Sequence, residues 1–163
     1  TKEQKVPRFE DYPVKTIYKG KPAKPKIPRQ WKDQPNWVDS IKFVAEDGPN
    51  FAGRLTIATW GCGIGCSSMA VVDAVSGRVY DDAPFGTLDI QKGDGEYFSG
   101  LTFHLDSSLL IVEGCHDLDA PRADLVHPDC SRSYWKWKAP KFELIQKIIL
   151  PVPRFVSDYY GRQ

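Results

Sequence analysis

Hydrophobic and polar residues alternate along much of the chain after residue 50, a pattern typical of half-buried β-strands. Pairs of such segments are separated by short turn signals at Ser76-Gly77, Asp106-Ser107 and Ala139-Pro140. Successive hairpins of this kind predict an antiparallel meander of about six to seven short strands.

Before this region, the apolar residues follow the period of a helix. Trp37, Ile41 and Val44 stand at positions i, i+4 and i+7, so they form one stripe on a helix over residues 36–46. Asn36 is a suitable N-cap, and Gly48-Pro49 ends the segment. We therefore predict an α+β fold that is mostly antiparallel β, with one N-terminal helix packed on the meander.

Prolines are concentrated at the start of the chain, where residues 1–35 contain six of the thirteen. Their spacing disfavours both helix and sheet pairing. Aromatic residues stand among the prolines, whereas a disordered tail contains few aromatic residues. We predict a Pro/Lys-rich extended arm packed on the domain over residues 1–35.

The length of 163 residues fits one domain. This single β-rich domain is placed at residues 36–150, and a C-terminal extended tail follows at 151–163.

The net charge of +1 gives no general electrostatic reason to expect nucleic acid. The charge is uneven, because residues 1–32 carry ten Lys/Arg and three Asp/Glu, a net of +7, whereas the remainder carries twelve and eighteen, a net of −6. Prolines interrupt the lysines, so we favour a solvated arm near an acidic body over an arm for an anionic partner such as a membrane surface. No window approaches the ~18–20 apolar residues of a transmembrane segment.

Four cysteines, an even number, permit three disulfide pairings. Spacing favours Cys62 with Cys66 and Cys115 with Cys130, and disulfides persist in periplasmic or secreted proteins. The chain begins at Thr1 and its single methionine is Met69, which suggests a processed form. The lack of a signal peptide therefore does not argue for the cytosol.

The segment TWGCGIGCSS at residues 59–68 is the most distinctive motif. Its Cys-x3-Cys spacing differs from the Cys-x2-Cys of zinc knuckles and thiol-exchange sites, and the Lys and Ser/Thr of a phosphate-binding loop are missing. We interpret it as a turn that a disulfide closes, with glycines that tolerate positive φ. The predicted binding loop consists of Trp60, Gly61, Gly63, Ile64, Gly65 and Ser67.

Metal binding and catalysis are weaker hypotheses. Two cysteines and two histidines within sixteen residues could together hold zinc; they are Cys115, His116, His127 and Cys130. We favour a loop that a disulfide closes, and we predict no metal and no cofactor. No G-x-S-x-G motif is present. The catalytic residues are therefore unknown, with His104 and His116 as the weak candidates.

Trp135 and Trp137 alternate with Tyr134 and Lys136, so the two tryptophans share one face of a strand. If this face were exposed, the indoles could form a stacking platform for sugars or peptides. We favour a core position for both, because the neighbouring lysine suits the wet face.

The run GPNFAGRLTIATWGCGIGCSSMAVVDAVSGRVY resembles a group of uncharacterised exported bacterial proteins, which carry an Asn-Phe-Ala-Gly segment followed by Trp-Gly-Cys-Gly and a second cysteine. RFEDYPVKTIYKGKPA, GLTFHLDSSLLIVEG and YWKWKAPKFELI also resemble this group, so the resemblance covers most of the chain. Its members usually have an aromatic residue in place of Leu55 and a Thr in place of Ile64. The resemblance implies a periplasmic or extracellular location and a β-rich fold, and it implies no activity.

These observations favour an exported, disulfide-stabilised, non-enzymatic binding protein of the inhibitor or immunity type that presents a rigid loop to a protein or cell-envelope ligand. One alternative is a cell-envelope hydrolase with a histidine and acid site. Another is a structural component of the envelope. The oligomeric state stays open.

Overall fold

The computed structural model describes residues 5–63, 66–81, 84, 88–93, 96–116 and 129–151. This described part contains one α-helix, α1 (Pro35–Ala45), and ten strands, of which six have four or more residues. The strands are β1 (Leu55–Gly63), β2 (Cys66–Asp73), β3 (Val79–Tyr80), β4 (Leu88–Asp89), β5 (Gln91–Gly93), β6 (Glu96–Tyr97), β7 (Gly100–Phe103), β8 (Leu109–His116), β9 (Asp129–Lys138) and β10 (Lys141–Ile149). All named strand pairs are antiparallel, which confirms the predicted fold class.

Helix α1 begins one residue earlier than the pattern predicts, at Pro35. Proline suits this first helical position because its φ is already helical and its missing N–H would be unpaired there in any case. The N-cap is therefore Gln34, and the prediction that Asn36 caps the helix is wrong. The predicted stripe faces inward, with Ile41 fully buried and its neighbours partly buried.

Eight of the strands form one long sheet in which the two-residue strand β4 is the junction, and β5 and β6 form a separate two-stranded sheet. Strand β2 pairs with β1 along one edge, and with β3 and β4 along the other. Strand β4 also pairs with β8, which continues the sheet through β9 to β10. The three predicted hairpins correspond to β2–β3, β7–β8 and β9–β10.

Alternate residues of β1 and β2 point into two separate cores. Leu55 and Met69 belong to a core shared with β8 and β10, which Trp135 and Trp137 line from the side. The opposite face of β1 and β2 packs against α1 and the arm and forms a second core with them. The buried residues of this second core are Trp31, Ile41, Ala58, Trp60, Ala70 and Val72. The β1–β2 hairpin is thus buried on both faces, and Trp135 and Trp137 pack against the core as predicted.

Residues 5–34 run in extended form over the β-rich part and are interrupted by short 3₁₀ turns at Phe9–Asp11 and Arg29–Trp31. The buried hydroxyl of Ser107 lies 2.9 Å from the carbonyl oxygen of Phe9 and 3.0 Å from that of Tyr12. At the other end of the arm, Trp31 is 5% exposed. The boundaries at residues 35 and 150 stay predictions, and residues 152–163 of the tail lie outside the described residues.

Among the described residues, no helix is long and apolar enough to cross a membrane.

Candidate functional site

The end of the β1–β2 hairpin is closed by a disulfide. Gly61 lies opposite Ser67, and the register then shifts so that Gly63 lies opposite Cys66. Cys62 and Cys66 are bonded to each other with their Cα atoms 5.0 Å apart. The predicted disulfide is confirmed, and it spans the irregular end of the hairpin.

We call residues 61–63 and 66–67 the hairpin tip. Gly61 and Cys62 are exposed, while Cys66 and Ser67 are partly exposed. A Cβ atom at Gly61 would meet the carbonyl oxygen of Cys66 at 3.8 Å, an ordinary contact. Gly61 and Cys62 are therefore accessible, and position 61 has room for a side chain, whereas Cys66 and Ser67 pair with β4. Ile64 and Gly65 of the predicted binding loop lie outside the described residues.

Three tryptophans pack together where the hairpin tip begins. The rings of Trp37 and Trp60 are stacked with centroids 5.5 Å apart, and Trp31 meets both edge-on at 5.9 and 6.4 Å. They come from the arm, α1 and β1, so the triad joins three elements. Each aromatic pair of this kind adds about 0.5–1.5 kcal/mol beyond the area it buries.

Trp60 is 8% exposed, so its indole serves as the buried base of the tip and not as part of its outer surface. Its Nε1 atom is buried and finds no hydrogen-bond acceptor in the described part of the chain. Because the indole is held between α1 and the arm, the strand that leads into Cys62 has a fixed position.

The second disulfide joins two strands in the sheet interior. Cys115 and Cys130 lie directly opposite each other on β8 and β9, and both are buried. Their sulfur atoms are bonded to each other and are not free to bind a metal ion together with His116 and His127. The side chain of His116 and the whole of His127 lie outside the described residues. Within the described ones, no group of three or more His, Cys, Asp or Glu could hold a metal ion.

His104, a weak catalytic candidate, follows β7 and is exposed. Its imidazole stacks on the ring of Phe9 in the arm, with the centroids 3.7 Å apart. This contact gives the side chain a packing role at the point where the arm crosses the β7–β8 turn.

One ion pair joins the end of β2 to the residue before β1, and a second joins facing residues within β8 and β9. Arg54 donates to Asp73 from Nε (3.2 Å) and from a terminal nitrogen (2.6 Å), and Arg132 donates to Glu113 at 2.7 Å. The hydrogen bonds raise the pKa of both arginines above its ordinary value. Burial alone would raise the pKa of Asp73, but the hydrogen bonds from Arg54 and from the backbone, together with the arginine charge, lower it below its ordinary value.

The Asn-Phe-Ala-Gly segment has a structural role that motif reading does not reveal. The amide of Asn50 donates to the carbonyl of Ile57 and accepts from its N–H, at 3.1 and 2.8 Å. Gly53 has a φ of +77°, and a Cβ atom there would overlap the backbone carbonyl of Thr16 in the arm. The segment therefore shapes the start of β1 and provides a contact for the arm.

Comparison of the chain with protein-family models, with curated proteins and with solved structures found no match.

Proposed function

We propose that the protein is a periplasmic or secreted binding protein, of the inhibitor or immunity type, whose contact surface is centred on the hairpin tip. The partner is a protein or another ligand of the cell envelope. The protein does not act as an enzyme in this proposal.

The anchored tip is the observation that carries the proposal. Gly61 and Cys62 are exposed and the Cys62–Cys66 disulfide closes the tip, while the tryptophan triad and two-sided burial hold the strands behind it. A surface that is already ordered loses little conformational entropy when it binds, so more of the contact energy appears as affinity. An inhibitor or immunity protein needs this property.

The oxidised cysteines support the proposed location. All four cysteines are in disulfides, and such bonds persist in oxidising compartments. The sequence resemblance to exported bacterial proteins implies the same location. Among the described residues, the one catalytic candidate that can be placed, His104, stacks its exposed imidazole on Phe9, which does not favour a hydrolase.

Site-specific crosslinking tests the proposal. A photoreactive amino acid replaces Gly61, where the structure leaves room for a side chain, and the labelled full-length protein is irradiated with an envelope extract of its source organism. The control carries the same group at Lys138, which is exposed next to the β9–β10 turn. We expect a discrete adduct from position 61 that position 138 does not give.

The double variant Cys62→Ala with Cys66→Ala, labelled at position 61, shows whether the closed loop matters. We expect this variant to remain folded and to lose the adduct. The proposal is contradicted if both labelled positions give the same products, or if the adduct persists unchanged without the disulfide.

A further inference from the structure

The arm carries an unbroken series of positive charges. Between residues 12 and 32 it has seven Lys/Arg and no Asp/Glu. All seven side chains are exposed, and none forms an ion pair with another described residue. We call this set the basic stripe: Lys15, Lys19, Lys21, Lys24, Lys26, Arg29 and Lys32.

The stripe is fixed to the domain by its own backbone. The N–H groups of Tyr18, Ala23 and Lys26 donate to the carbonyls of Gly53, Ala74 and Gly77 at 2.7, 2.8 and 2.8 Å. The backbone that carries the charges is therefore held at these points before any partner arrives. The sequence favours a solvated arm because prolines interrupt the lysines, and it does not show at which points the backbone of the arm is held.

Exposed apolar side chains accompany the stripe. Ile17 is 38% exposed within the arm, and Val75, 42% exposed, follows the Ala74 that binds the arm. Phe43 on α1 is 74% exposed. Its neighbour Lys42 lines a cavity of about 360 Å³ together with residues 22–25 of the arm and with Ala45 and Glu46 of the helix end. Exposed apolar side chains therefore lie within the arm and next in sequence to residues that contact it.

We infer that the basic stripe, with Ile17, Phe43 and Val75, docks the protein peripherally on an anionic phospholipid bilayer. Lysine and arginine side chains near such a surface are attracted to its headgroups, and apolar side chains enter the interface beside them. A soluble polyanion would use the charges and leave Phe43 in water. The apolar neighbours thus favour a lipid surface.

The stripe follows the β1–β2 hairpin along its length. Its first part binds at Gly53, next to the Leu55–Asp73 pair that begins the hairpin. Arg29 and Lys32 at its other end flank Trp31, which packs on Trp60 where the hairpin tip begins. The docking inference does not depend on the proposed contact role of the tip.

Cosedimentation of the full chain with vesicles tests the inference. Vesicles of phosphatidylcholine with added phosphatidylglycerol are compared with phosphatidylcholine alone. The stripe variant combines three changes, Lys19→Gln, Lys21→Gln and Lys24→Gln. The control variant loses the same amount of charge at exposed sites of β9 and β10, through Lys136→Gln, Lys138→Gln and Lys141→Gln.

We expect the wild type and the control to bind the anionic vesicles and to release them as salt is raised. The stripe variant should bind about 100-fold more weakly, because each charge near the surface is worth about fivefold in affinity. Equal binding by the stripe variant and the control overturns the inference, as does wild-type binding that is the same with and without phosphatidylglycerol.

A second pair of variants separates a bilayer from a soluble polyanion. Phe43→Ser should weaken vesicle binding about tenfold through the lost apolar contact. Ile149→Ser, which changes a residue 68% exposed on β10, should leave it unchanged. If Phe43→Ser has no effect on vesicles while heparin binds wild type more tightly than the vesicles do, the stripe is a polyanion site and the bilayer inference is wrong.

Discussion

At the scale of single residues, the paired side chains of Arg54 and Asp73 hold the start of the β1–β2 hairpin together. The carboxylate accepts two hydrogen bonds from the guanidinium and one from the N–H of Val75 at 2.8 Å. Asp73 is 7% exposed, so water replaces these partners poorly. The carboxylate must therefore be ionised for the hairpin base to be fully stable.

The substitution Asp73→Asn should lower the free energy of unfolding by about 1.5–3 kcal/mol at neutral pH, the usual contribution of hydrogen bonds to a charged group. Because folding lowers the pKa of Asp73, its contribution is complete above the unfolded pKa of ~3.9. The contribution is lost as pH falls through the lower folded value.

Urea unfolding of both proteins at pH 7 and near pH 3 measures this dependence. The difference between wild type and Asp73→Asn should shrink at the lower pH. A difference that stays constant with pH would show that the charge of Asp73 does not contribute.

Two glycines that look alike in the sequence should respond differently to a methyl group. Gly53 has a positive φ and lies against the arm, whereas a Cβ atom at Gly61 has room. Gly53→Ala should cost about 1–3 kcal/mol of stability from backbone strain alone, and Gly61→Ala should stay within ~0.5 kcal/mol of wild type. Thermal or urea unfolding checks the order, and a larger loss at Gly61 contradicts this description of the tip.

At the scale of elements, the arm depends on the β7–β8 turn for its attachment. The hydroxyl of Ser107 reaches the carbonyls of Phe9 and Tyr12, and the N–H of Ser108 donates to Tyr12 at 2.9 Å. Removing a buried hydrogen-bonding partner leaves groups unsatisfied at a cost of about 1–3 kcal/mol. Local opening of the first part of the arm should then become more frequent.

Hydrogen exchange of Ser107→Ala tests this attachment. The amides of Val14 and Ser108, which bond between the arm and the turn, should exchange about tenfold faster or more, since each 1.4 kcal/mol corresponds to a factor of ten in the opening equilibrium. The amides of α1 should keep their rates. Faster exchange throughout the molecule would instead indicate a general loss of stability.

The elements that sequence predicts well are those with local signals. Ser76-Gly77 and Asp106-Ser107 indicate turns within a few residues. The alternation identifies Trp135 and Trp137 as residues that pack against the core, but Tyr134 on the opposite face is buried as well. The prediction that Asn36 is the N-cap is wrong by two positions, because Pro35 takes the first helical position and Gln34 is the N-cap. Local rules place the hairpins, but they do not show which hairpins join.

Contacts distant in sequence could not be predicted in the same way. Arg54 meets Asp73, and Ser107 meets the arm some 98 residues away. Strand β4 has two residues and no pattern of its own, yet it joins the two halves of the sheet. For the site, the cysteine spacing indicated the closed loop, whereas the burial of Trp60 depends on Trp31 and Trp37 from other elements.

At the scale of the whole molecule, the two disulfides should contribute unequally to stability. Cys115–Cys130 closes a sequence separation of fifteen residues, and Cys62–Cys66 a separation of four. In the chain-entropy model the longer loop gives about 3 kcal/mol and the shorter about 2 kcal/mol. Burial of Cys115 and Cys130 adds to the difference, because their removal also disturbs packing.

Paired alanine variants test this order by calorimetry. Cys115→Ala with Cys130→Ala should lower Tm more than Cys62→Ala with Cys66→Ala, at about 2–4 °C for each kcal/mol in a domain of this size. A greater loss from the hairpin tip would mean that its disulfide holds the fold itself. Loss of the crosslink without the disulfide would then no longer report on binding.

The central claim is that the hairpin tip is a loop closed by a disulfide, as expected in an oxidising compartment. The most direct measurement is mass spectrometry of peptides from the native protein, with thiols alkylated at the moment of cell lysis and digestion carried out without reductant. Our account predicts unalkylated peptides linked as Cys62–Cys66 and Cys115–Cys130. Alkylated Cys62 and Cys66, or a bond between either of them and Cys115 or Cys130, would contradict it.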